Sequence, residues 1–286
     1  MRLSAYHSEV DVFSLAATGT AAPTRQIRVG QSLGFYPESV AVDDLGNAYI
    51  GVSPRLFQVT PPSSSGNGSA GTSVTSTGGA DPRGIALDSA RCVYVAAGTA
   101  IEVYNGTVAS GYTKVATIPN GSTNSVSGIA FDNSGGLFAI DSNSYDATNS
   151  AAPTIAIFRG AACGGQTFQS ALGGANTQLQ LPAQIAFDAA GFMYVTDAGA
   201  KAVFVYAPGA TGNVAPVRTI AGSNTHFQKP WGVAVDSSGV LHVSDQTANA
   251  VFDFPSAATG NVAPSNTLTG PATDGGFNGP LGITVH

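Results

Sequence analysis

A short apolar segment followed by a polar residue recurs six times along the chain. Five copies carry Ala at their centre and end in Asp, and the last carries Thr and ends in His. The copies are residues 39–43, 84–88, 128–132, 184–188, 232–236 and 282–286. A period of roughly 45 to 55 residues is typical of a radial β array. The repeat therefore predicts one domain over residues 1–286 rather than two independent ones.

One unit shows the elements most clearly, from Lys229 to Gly270. Its apolar segment leads into a turn from Asp236 to Gly239, in which Asp caps and Gly accepts a positive φ. Three further short strands follow, and four strands joined by tight turns make a propeller blade. The second strands share an aromatic position, which His242 occupies in this unit, so we interpret His242 as a packing residue between blades.

The turn after the apolar segment ends in Gly in four units, but Arg91 stands at this place in the second unit. A positive φ is uncommon for a residue with a Cβ, so the sequence predicts a different type of turn there.

The last unit contains only its first strand, residues 281–286, and the missing strands are found at the other end of the chain. Residues 1–30 contain three segments that parallel the second, third and fourth strands of other units. The sequence therefore predicts an all-β, six-bladed propeller with four-stranded blades. Its sixth blade is split between residues 281–286 and 1–30, and the pairing of these segments closes the ring.

The segment from Pro230 to Asp245 resembles the NHL repeat of six-bladed β-propellers. A second phrase, residues 206–216, recurs at 255–264 and is similar to one found in uncharacterised bacterial propellers. The resemblance covers the whole chain and implies the fold. It implies no single function, because similar propellers include lactonases, lyases and binding platforms.

Composition narrows the range of partners and locations. The formal net charge is −6 and the eleven Lys and Arg do not cluster, which argues against nucleic-acid binding. No apolar run approaches the roughly 18 residues of a membrane span. Charged residues make up 10% of the chain, against roughly 25% in an average soluble protein. This balance favours a secreted, periplasmic or cell-surface protein, although residues 1–10 carry no export signal. We also expect a monomer.

The two cysteines, Cys92 and Cys163, fall in neighbouring units on the same predicted face. They either form a disulfide in an oxidising compartment or remain two buried thiols.

The resemblance implies that the residue leading into each first strand lies at the mouth of the central tunnel. These six mouth positions are Glu38, Arg83, Ser127, Ala183, Trp231 and Leu281. Their unlike chemistry indicates a pocket for a small molecule, a glycan or a protein. The alternative is a salt bridge between Glu38 and Arg83 that plugs the axis. The candidate ligand-binding residues are Glu38, Arg83, Trp231, Tyr36, Tyr145, His226 and Phe227.

Three aspartates, Asp141, Asp197 and Asp245, end the second strands of successive units. With Glu38 they are candidate metal ligands, and calcium is the candidate cofactor. The alternative is that each Asp caps its own loop.

Two functions therefore remain open. One is a binding scaffold that uses the loop face at the tunnel mouth. The other is a metal-dependent lactonase, hydrolase or lyase similar to the gluconolactonase-like propellers. That resemblance implies an axial metal held by Glu38, with Asn143 or Asp245, but the other mouth positions lack the expected Asn. No catalytic residue can be assigned from the sequence.

Overall fold

The computed structural model of the protein is an all-β propeller, as the repeat predicts. The structure describes residues 2–6, 9–28, 36–53, 56–60, 68–69, 73–75, 81–107, 109–121, 125–141, 152–270 and 279–285. Within these residues, no helix is long and apolar enough to cross a membrane.

The strands are short and follow one another along the chain with few other elements between them. The first eight are β1 (Arg2–Tyr6), β2 (Glu9–Phe13), β3 (Arg25–Arg28), β4 (Tyr36–Val42), β5 (Ala48–Ser53), β6 (Leu56–Thr60), β7 (Gly68–Ser69) and β8 (Ser73–Thr75). The next eight are β9 (Pro82–Leu87), β10 (Val93–Ala97), β11 (Ala100–Thr107), β12 (Gly111–Pro119), β13 (Val126–Phe131), β14 (Leu137–Asp141), β15 (Thr154–Ala161) and β16 (Gly165–Gly173). The last nine are β17 (Pro182–Phe187), β18 (Met193–Asp197), β19 (Ala202–Tyr206), β20 (Arg218–Ala221), β21 (Pro230–Val235), β22 (Leu241–Asp245), β23 (Ala250–Phe254), β24 (Asn266–Leu268) and β25 (Ile283–Val285). Two 3₁₀ turns, η1 (Ala175–Thr177) and η2 (Ser223–Thr225), precede β17 and β21.

The strands form six sheets. Sheet 1 contains β4, β5, β6 and β8, and sheets 2 to 5 contain β9–β12, β13–β16, β17–β20 and β21–β24. Sheet 6 has the order β25-β1-β2-β3, with β7 added in parallel at its outer edge. Sheets 2 to 5 are four-stranded antiparallel blades, and the structure describes the side chains of all their strands.

The first strand of each sheet contacts the first strand of the next, from β4 through β9, β13, β17 and β21 to β25, and β25 returns to β4. Glycine opens four copies of the repeated phrase because these strands approach very closely. A Cβ at Gly84 would overlap the carbonyl oxygen of Ser127, and one at Gly232 would overlap that of Leu281. Only glycine allows this approach of two backbones.

The two ends of the chain meet in sheet 6 in the pairing that the sequence predicts. Arg2 lies opposite Val285 in antiparallel register, and Ser4 lies opposite Ile283. A second link lies further from the axis. The Gly19 amide donates to the Thr267 carbonyl (2.7 Å), and the Gly19 carbonyl accepts from the Thr269 amide (2.7 Å). Sheet 6 is therefore joined to the C-terminal part of the chain at two radii.

The phrase that recurs at residues 206–216 and 255–264 makes the same kind of outer link. Gly212 and Gly260 form parallel bridges to the last strand of the preceding sheet. The following Asn side chains accept backbone N–H groups from the adjacent 3₁₀ turns: Asn213 from Asn176 (2.8 Å) and Asn261 from Asn224 (2.7 Å). This repeated phrase therefore links the outer strands of neighbouring sheets.

The turn at Arg91 differs from the expectation. Arg91 has a φ of 63°, and its amide donates to the Asp88 carbonyl (2.9 Å), as the Gly46 amide does to Asp43 (3.0 Å). The turn is the same type as in the other units, and the prediction of a different one was wrong. The Arg91 guanidinium is positioned to pair with Asp44 (2.7 Å), a contact that Gly could not make.

Candidate functional site

The mouth positions coincide with interruptions in strand pairing. In β4, Pro37 pairs with Val52 and Ser39 pairs with Gly51, so Glu38 has no opposite residue. The pairing skips the equivalent residues in the next four first strands: Arg83, Ser127 with Gly128, Ala183, and Trp231 with Gly232. A β-bulge breaks the alternation of side chains and is common beside active sites. The bulges therefore free these side chains from the packing pattern of the blades.

One side of the mouth is apolar. Trp231 packs with Ala183 and Ala198 in one buried cluster, and Leu181 and Leu281 lie against it. Trp231 is only 5% exposed, and the Lys229 ammonium lies 5.1 Å from its ring centre. The structure thus brings Trp231 together with the mouth residues of both neighbouring sheets.

The other side is polar and is formed by Glu38, Arg83 and Ser127 of three successive sheets. Glu38 Oε2 and Ser127 Oγ are buried without a hydrogen-bond partner in the described part of the chain. Ser127 is 3% exposed. Among the described residues, no ion pair joins Glu38 to Arg83, so the structure does not contain the salt-bridge plug. Buried groups without partners are costly and mark a place where a ligand can supply them.

The pKa of Glu38 is raised to about 7, first by burial and then by the nearby Asp81 carboxylate, while Arg83 opposes the shift. Removing a carboxylate from water disfavours its charged form, which is the main cause here. Near neutral pH the Glu38 side chain therefore exists in both forms. Groups whose pKa is strongly shifted by burial cluster at functional sites, so Glu38 is a candidate functional residue.

Asp197 and Asp245 cap loops. The Asp197 carboxylate accepts the amides of Gln180 (2.7 Å), Leu181 (3.0 Å) and Ala200 (2.8 Å). The Asp245 carboxylate accepts hydrogen bonds from two amides in the loop before β21 and from two in the loop between β22 and β23: Gln228, Lys229, Thr247 and Ala248. Both carboxylates are fully buried and their acceptor sites are filled by N–H donors. The capping interpretation is therefore the one that the structure shows for these two residues.

These contacts do not fit a calcium site. Calcium binds six to eight oxygens, and backbone amides already occupy the oxygens of two of the four candidate carboxylates, Asp197 and Asp245. Asn143 lies outside the described residues. Within them, the one group of three metal-type donors is Asp88, Cys92 and Cys163, and its two sulfurs are joined to each other.

Cys92 and Cys163 form a disulfide, which decides between the two alternatives that the sequence left open. It joins the start of β10 in sheet 2 to the β15–β16 turn of sheet 3. The amide of Cys163 also donates to Asp88 (2.7 Å), and the amide of Gly164 donates to the Tyr94 hydroxyl (2.9 Å).

The remaining predicted ligand-binding residues do not gather at the mouth. Phe227 is buried between sheets 4 and 5 and packs on Phe254, with 5.3 Å between ring centres. His226 is exposed beside Phe252, away from the Trp231 cluster. Tyr36 begins β4, but its side chain and the whole of Tyr145 lie outside the described residues.

His242 does more than pack. It is 1% exposed, with Nδ1 2.6 Å from Asp253 Oδ1 and Nε2 3.3 Å from Asp236 Oδ2. In three other sheets the residue of this column is a Tyr whose hydroxyl donates to the equivalent turn aspartate: Tyr49 to Asp43, Tyr94 to Asp88 and Tyr194 to Asp188. The sequence signal for this network was Asp253, because the other sheets have Val or Ile opposite the aromatic residue.

We expect His242→Tyr and Asp253→Val each to destabilise the protein by about 2–4 kcal/mol, because each removes one partner of the buried His242–Asp253 hydrogen bond. The double variant recreates the Tyr–Val pair of sheets 2 and 4 and should recover at least half of the summed loss. Urea unfolding of the four proteins measures this coupling. Losses that simply add would contradict the role of the His242–Asp253 pair.

Comparison with known structures supports the fold. No protein-family model matches the sequence, and no curated protein matches it. A chain in a crystal structure of a nidogen/laminin complex is similar, with a TM-score of 0.70, 19% identity, and coverage of 99% of this chain and 97% of that one. A protein of unknown function from Bacteroides caccae is similar with a TM-score of 0.67 and 11% identity, and the match covers 99% of this chain and 97% of that one. Virginiamycin B lyase from Staphylococcus aureus is similar with a TM-score of 0.54 and 13% identity, and the match covers 78% of this chain and 67% of that one. Identities this low relate these proteins by fold alone.

Proposed function

We propose that this protein is a single-domain, six-bladed propeller that acts outside the cytoplasm as a monomeric binding scaffold. Its tunnel mouth binds an amine or guanidinium group, carried by a small molecule or by a side chain of a partner protein. The six sheets and the closed ring of their first strands support the count of six blades. The repeated phrase that resembles the NHL repeat supports the family.

The buried Glu38 carboxylate carries the proposal. Its Oε2 atom has no partner among the described residues, and its pKa is raised to about 7 by burial and by Asp81. A cation at this place supplies the missing partner and returns the carboxylate to its charged form. The unpartnered hydroxyl of Ser127 lies on the same polar side of the mouth and can accept a second N–H.

The disulfide supports a location outside the cytoplasm. Disulfides persist in oxidising compartments and are rare in reducing ones. The low content of charged residues points the same way.

Two similar structures suit different functions. The nidogen/laminin chain comes from a complex of two proteins, which fits a binding role. Virginiamycin B lyase is an enzyme, which fits the alternative of a metal-dependent hydrolase or lyase. The binding role is favoured because Asp197 and Asp245 cap loops and are not available as metal ligands.

Fluorescence of Trp231, the one tryptophan in the chain, can test the proposal because this side chain lies at the mouth. We expect ethylguanidinium, lysine amide or arginine amide to cause a saturable change in emission. Binding should be about tenfold tighter at pH 8 than at pH 6, because Glu38 is mostly charged only at the higher pH. Glu38→Gln should remove both the binding and its pH dependence.

Asp44→Asn is the matched control, since Asp44 is an exposed acid in a turn and is not a mouth residue.

The stability of Glu38→Gln provides a second measurement. A folded-state pKa raised from 4.5 to about 7 stabilises the protein at low pH, and this contribution disappears as the pH rises to 7. Glu38→Gln should therefore melt above the original protein at pH 8, with no such gain at pH 5. If none of the three probes changes the emission of Trp231, the proposal is contradicted. A saturable change in emission on addition of calcium, absent in Glu38→Gln, would favour the metal-dependent enzyme.

A further inference from the structure

Neighbouring sheets are joined away from the axis by four parallel backbone bridges and one disulfide. The bridges link sheets 3 to 4, 4 to 5, 5 to 6 and 6 to 1, and each uses a glycine: Gly212, Gly260, Gly19 and Gly68. The disulfide links sheets 2 and 3. Within the residues that the structure describes, neither kind of link joins sheets 1 and 2. This boundary holds two tyrosines in contact instead, Tyr49 of β5 and Tyr112 of β12.

The two phenol groups of this pair meet at their hydroxyls. The hydroxyl oxygens lie 3.1 Å apart, and the ring centres lie 6.1 Å apart with the ring planes at 82°. The Tyr49 hydroxyl donates to Asp43 Oδ2 (3.1 Å), so the Tyr112 hydroxyl is the donor between the two rings. Tyr49 is only 2% exposed, whereas Tyr112 is half-buried and can be reached from solution.

Two other sheets show that the hydrogen bond alone does not require a second tyrosine. The Tyr94 hydroxyl accepts from the Gly164 amide (2.9 Å), and the Tyr194 hydroxyl accepts from the Arg218 guanidinium (3.0 Å). Both hydroxyls also donate to their turn aspartates, as Tyr49 does. An amide or a guanidinium resists one-electron oxidation, whereas a phenol undergoes it readily. Among the described residues, only the boundary between sheets 1 and 2 places two oxidisable phenols together.

We propose that Tyr49 and Tyr112 form a site of oxidative modification, at which a haem peroxidase that consumes hydrogen peroxide joins the two rings as a dityrosine. The peroxidase takes an electron and a proton from Tyr112. The Tyr112 radical then takes an electron from Tyr49, whose phenolic proton passes to Asp43, and a second oxidation restores the Tyr112 radical. The disulfide already points to an oxidising compartment, in which such oxidants occur.

The coupling step balances without any further reactant. The two radicals form one carbon–carbon bond between the ring carbons next to those that bear the oxygens. Each of these carbons then loses its hydrogen as a proton, and each oxygen regains one. The protein thus loses two hydrogens in all, and one hydrogen peroxide takes up two electrons and two protons to become two waters.

The new bond would supply a covalent link at a boundary that is otherwise weakly held. The exposed ion pair of Arg91 with Asp44 lies at the same boundary, but such pairs contribute little to stability. The two tyrosines are 63 positions apart, close to the 71 of the disulfide, so a similar stabilisation is expected. Because Tyr49 bonds to the turn that follows β4, the site is separate from the mouth and does not depend on Glu38.

Treatment of the whole protein with a haem peroxidase and limiting hydrogen peroxide tests the proposal. We expect a monomer that has lost two hydrogens, emits the fluorescence of dityrosine and yields one cross-linked peptide pair containing residues 49 and 112 in mass spectrometry. Its melting temperature should rise by roughly 5–10 °C. Tyr112→Phe retains the ring but not the phenol, so it should lose the cross-link, the fluorescence and the rise in melting temperature.

Tyr194→Phe is the matched control. Tyr194 occupies the same column as Tyr49 and bonds to its turn aspartate, but its neighbour across the boundary is Arg218. This variant should cross-link as the original protein does. The proposal would be overturned by cross-links that persist in Tyr112→Phe, that map to other tyrosines or that only join separate chains. An original protein that loses no hydrogens while the peroxide is consumed would overturn it as well.

Discussion

Deletion of residues 1–30 should leave a chain that cannot unfold cooperatively as a monomer and that aggregates. The deletion removes β1, β2 and β3, so β25 loses its pairing partner. It also removes the outer link that Gly19 makes to β24. Both neighbours of sheet 6 would then expose apolar faces and strand edges, which promote association between chains.

The size of the effect follows from what these strands bury. Val10, Val12, Phe13 and Ile27 are each at most 3% exposed. A fully buried side chain of this kind contributes about 1.5–3 kcal/mol. Four of them together approach the whole stability of a typical domain, about 5–15 kcal/mol. Size-exclusion chromatography and thermal unfolding measure the outcome.

A circular permutant is the matched control. It joins residue 286 to residue 1 through a flexible linker and opens the chain between Pro208 and Gly209, two exposed residues between β19 and β20. It retains every strand and should fold as a monomer, because Arg2 and Val285 are already paired neighbours. Cooperative unfolding of the 1–30 deletion as a monomer would contradict closure of the ring by these strands.

Removal of the disulfide by Cys92→Ala/Cys163→Ala should lower stability by about 2–4 kcal/mol. The two residues are separated by 71 positions, and for such a loop the chain-entropy treatment gives a stabilisation of about 4 kcal/mol. In a protein of this size we expect the melting temperature to fall by roughly 5–10 °C. Calorimetry with and without reductant measures the change.

The folded structure should survive this substitution. Asp88 and the Tyr94 hydroxyl still hold the β15–β16 turn through the amides of Cys163 and Gly164. The loss is therefore one of stability, without rearrangement of sheets 2 and 3. Reductant should destabilise the original protein and leave the double variant unchanged. An original protein whose melting temperature is insensitive to complete reduction would contradict the prediction.

The candidate site was only partly predictable. Sequence columns identified Glu38, Arg83 and Trp231 as positions that break the repeat, and the structure places each at a β-bulge. They did not show that Trp231 is buried or that Glu38 lacks a salt bridge to Arg83. Those facts depend on distances across neighbouring sheets, which a single sequence does not encode in its spacing.

Other residues were misjudged for related reasons. Phe227 was assigned to a ligand site as one of the aromatic side chains expected near the tunnel mouth, but it is buried between sheets 4 and 5. Arg91 was expected to change its turn, but its turn keeps the backbone geometry of the other units, with a φ of 63°, and its side chain pairs with Asp44. In both cases contacts made by the fold outweighed a local preference.

The sequence by itself determined the architecture of this protein. The alternation of apolar and turn residues is local, and its repetition over the whole chain allows neighbouring units to bury their apolar faces only against one another. The tertiary structure decided which side chains are free to act. Whether Asp245 caps a loop or binds an ion, and whether His242 packs or pairs with Asp253, depends on groups brought together from distant parts of the chain. The energy of a buried polar group is set by those neighbours, not by its own position in the repeat.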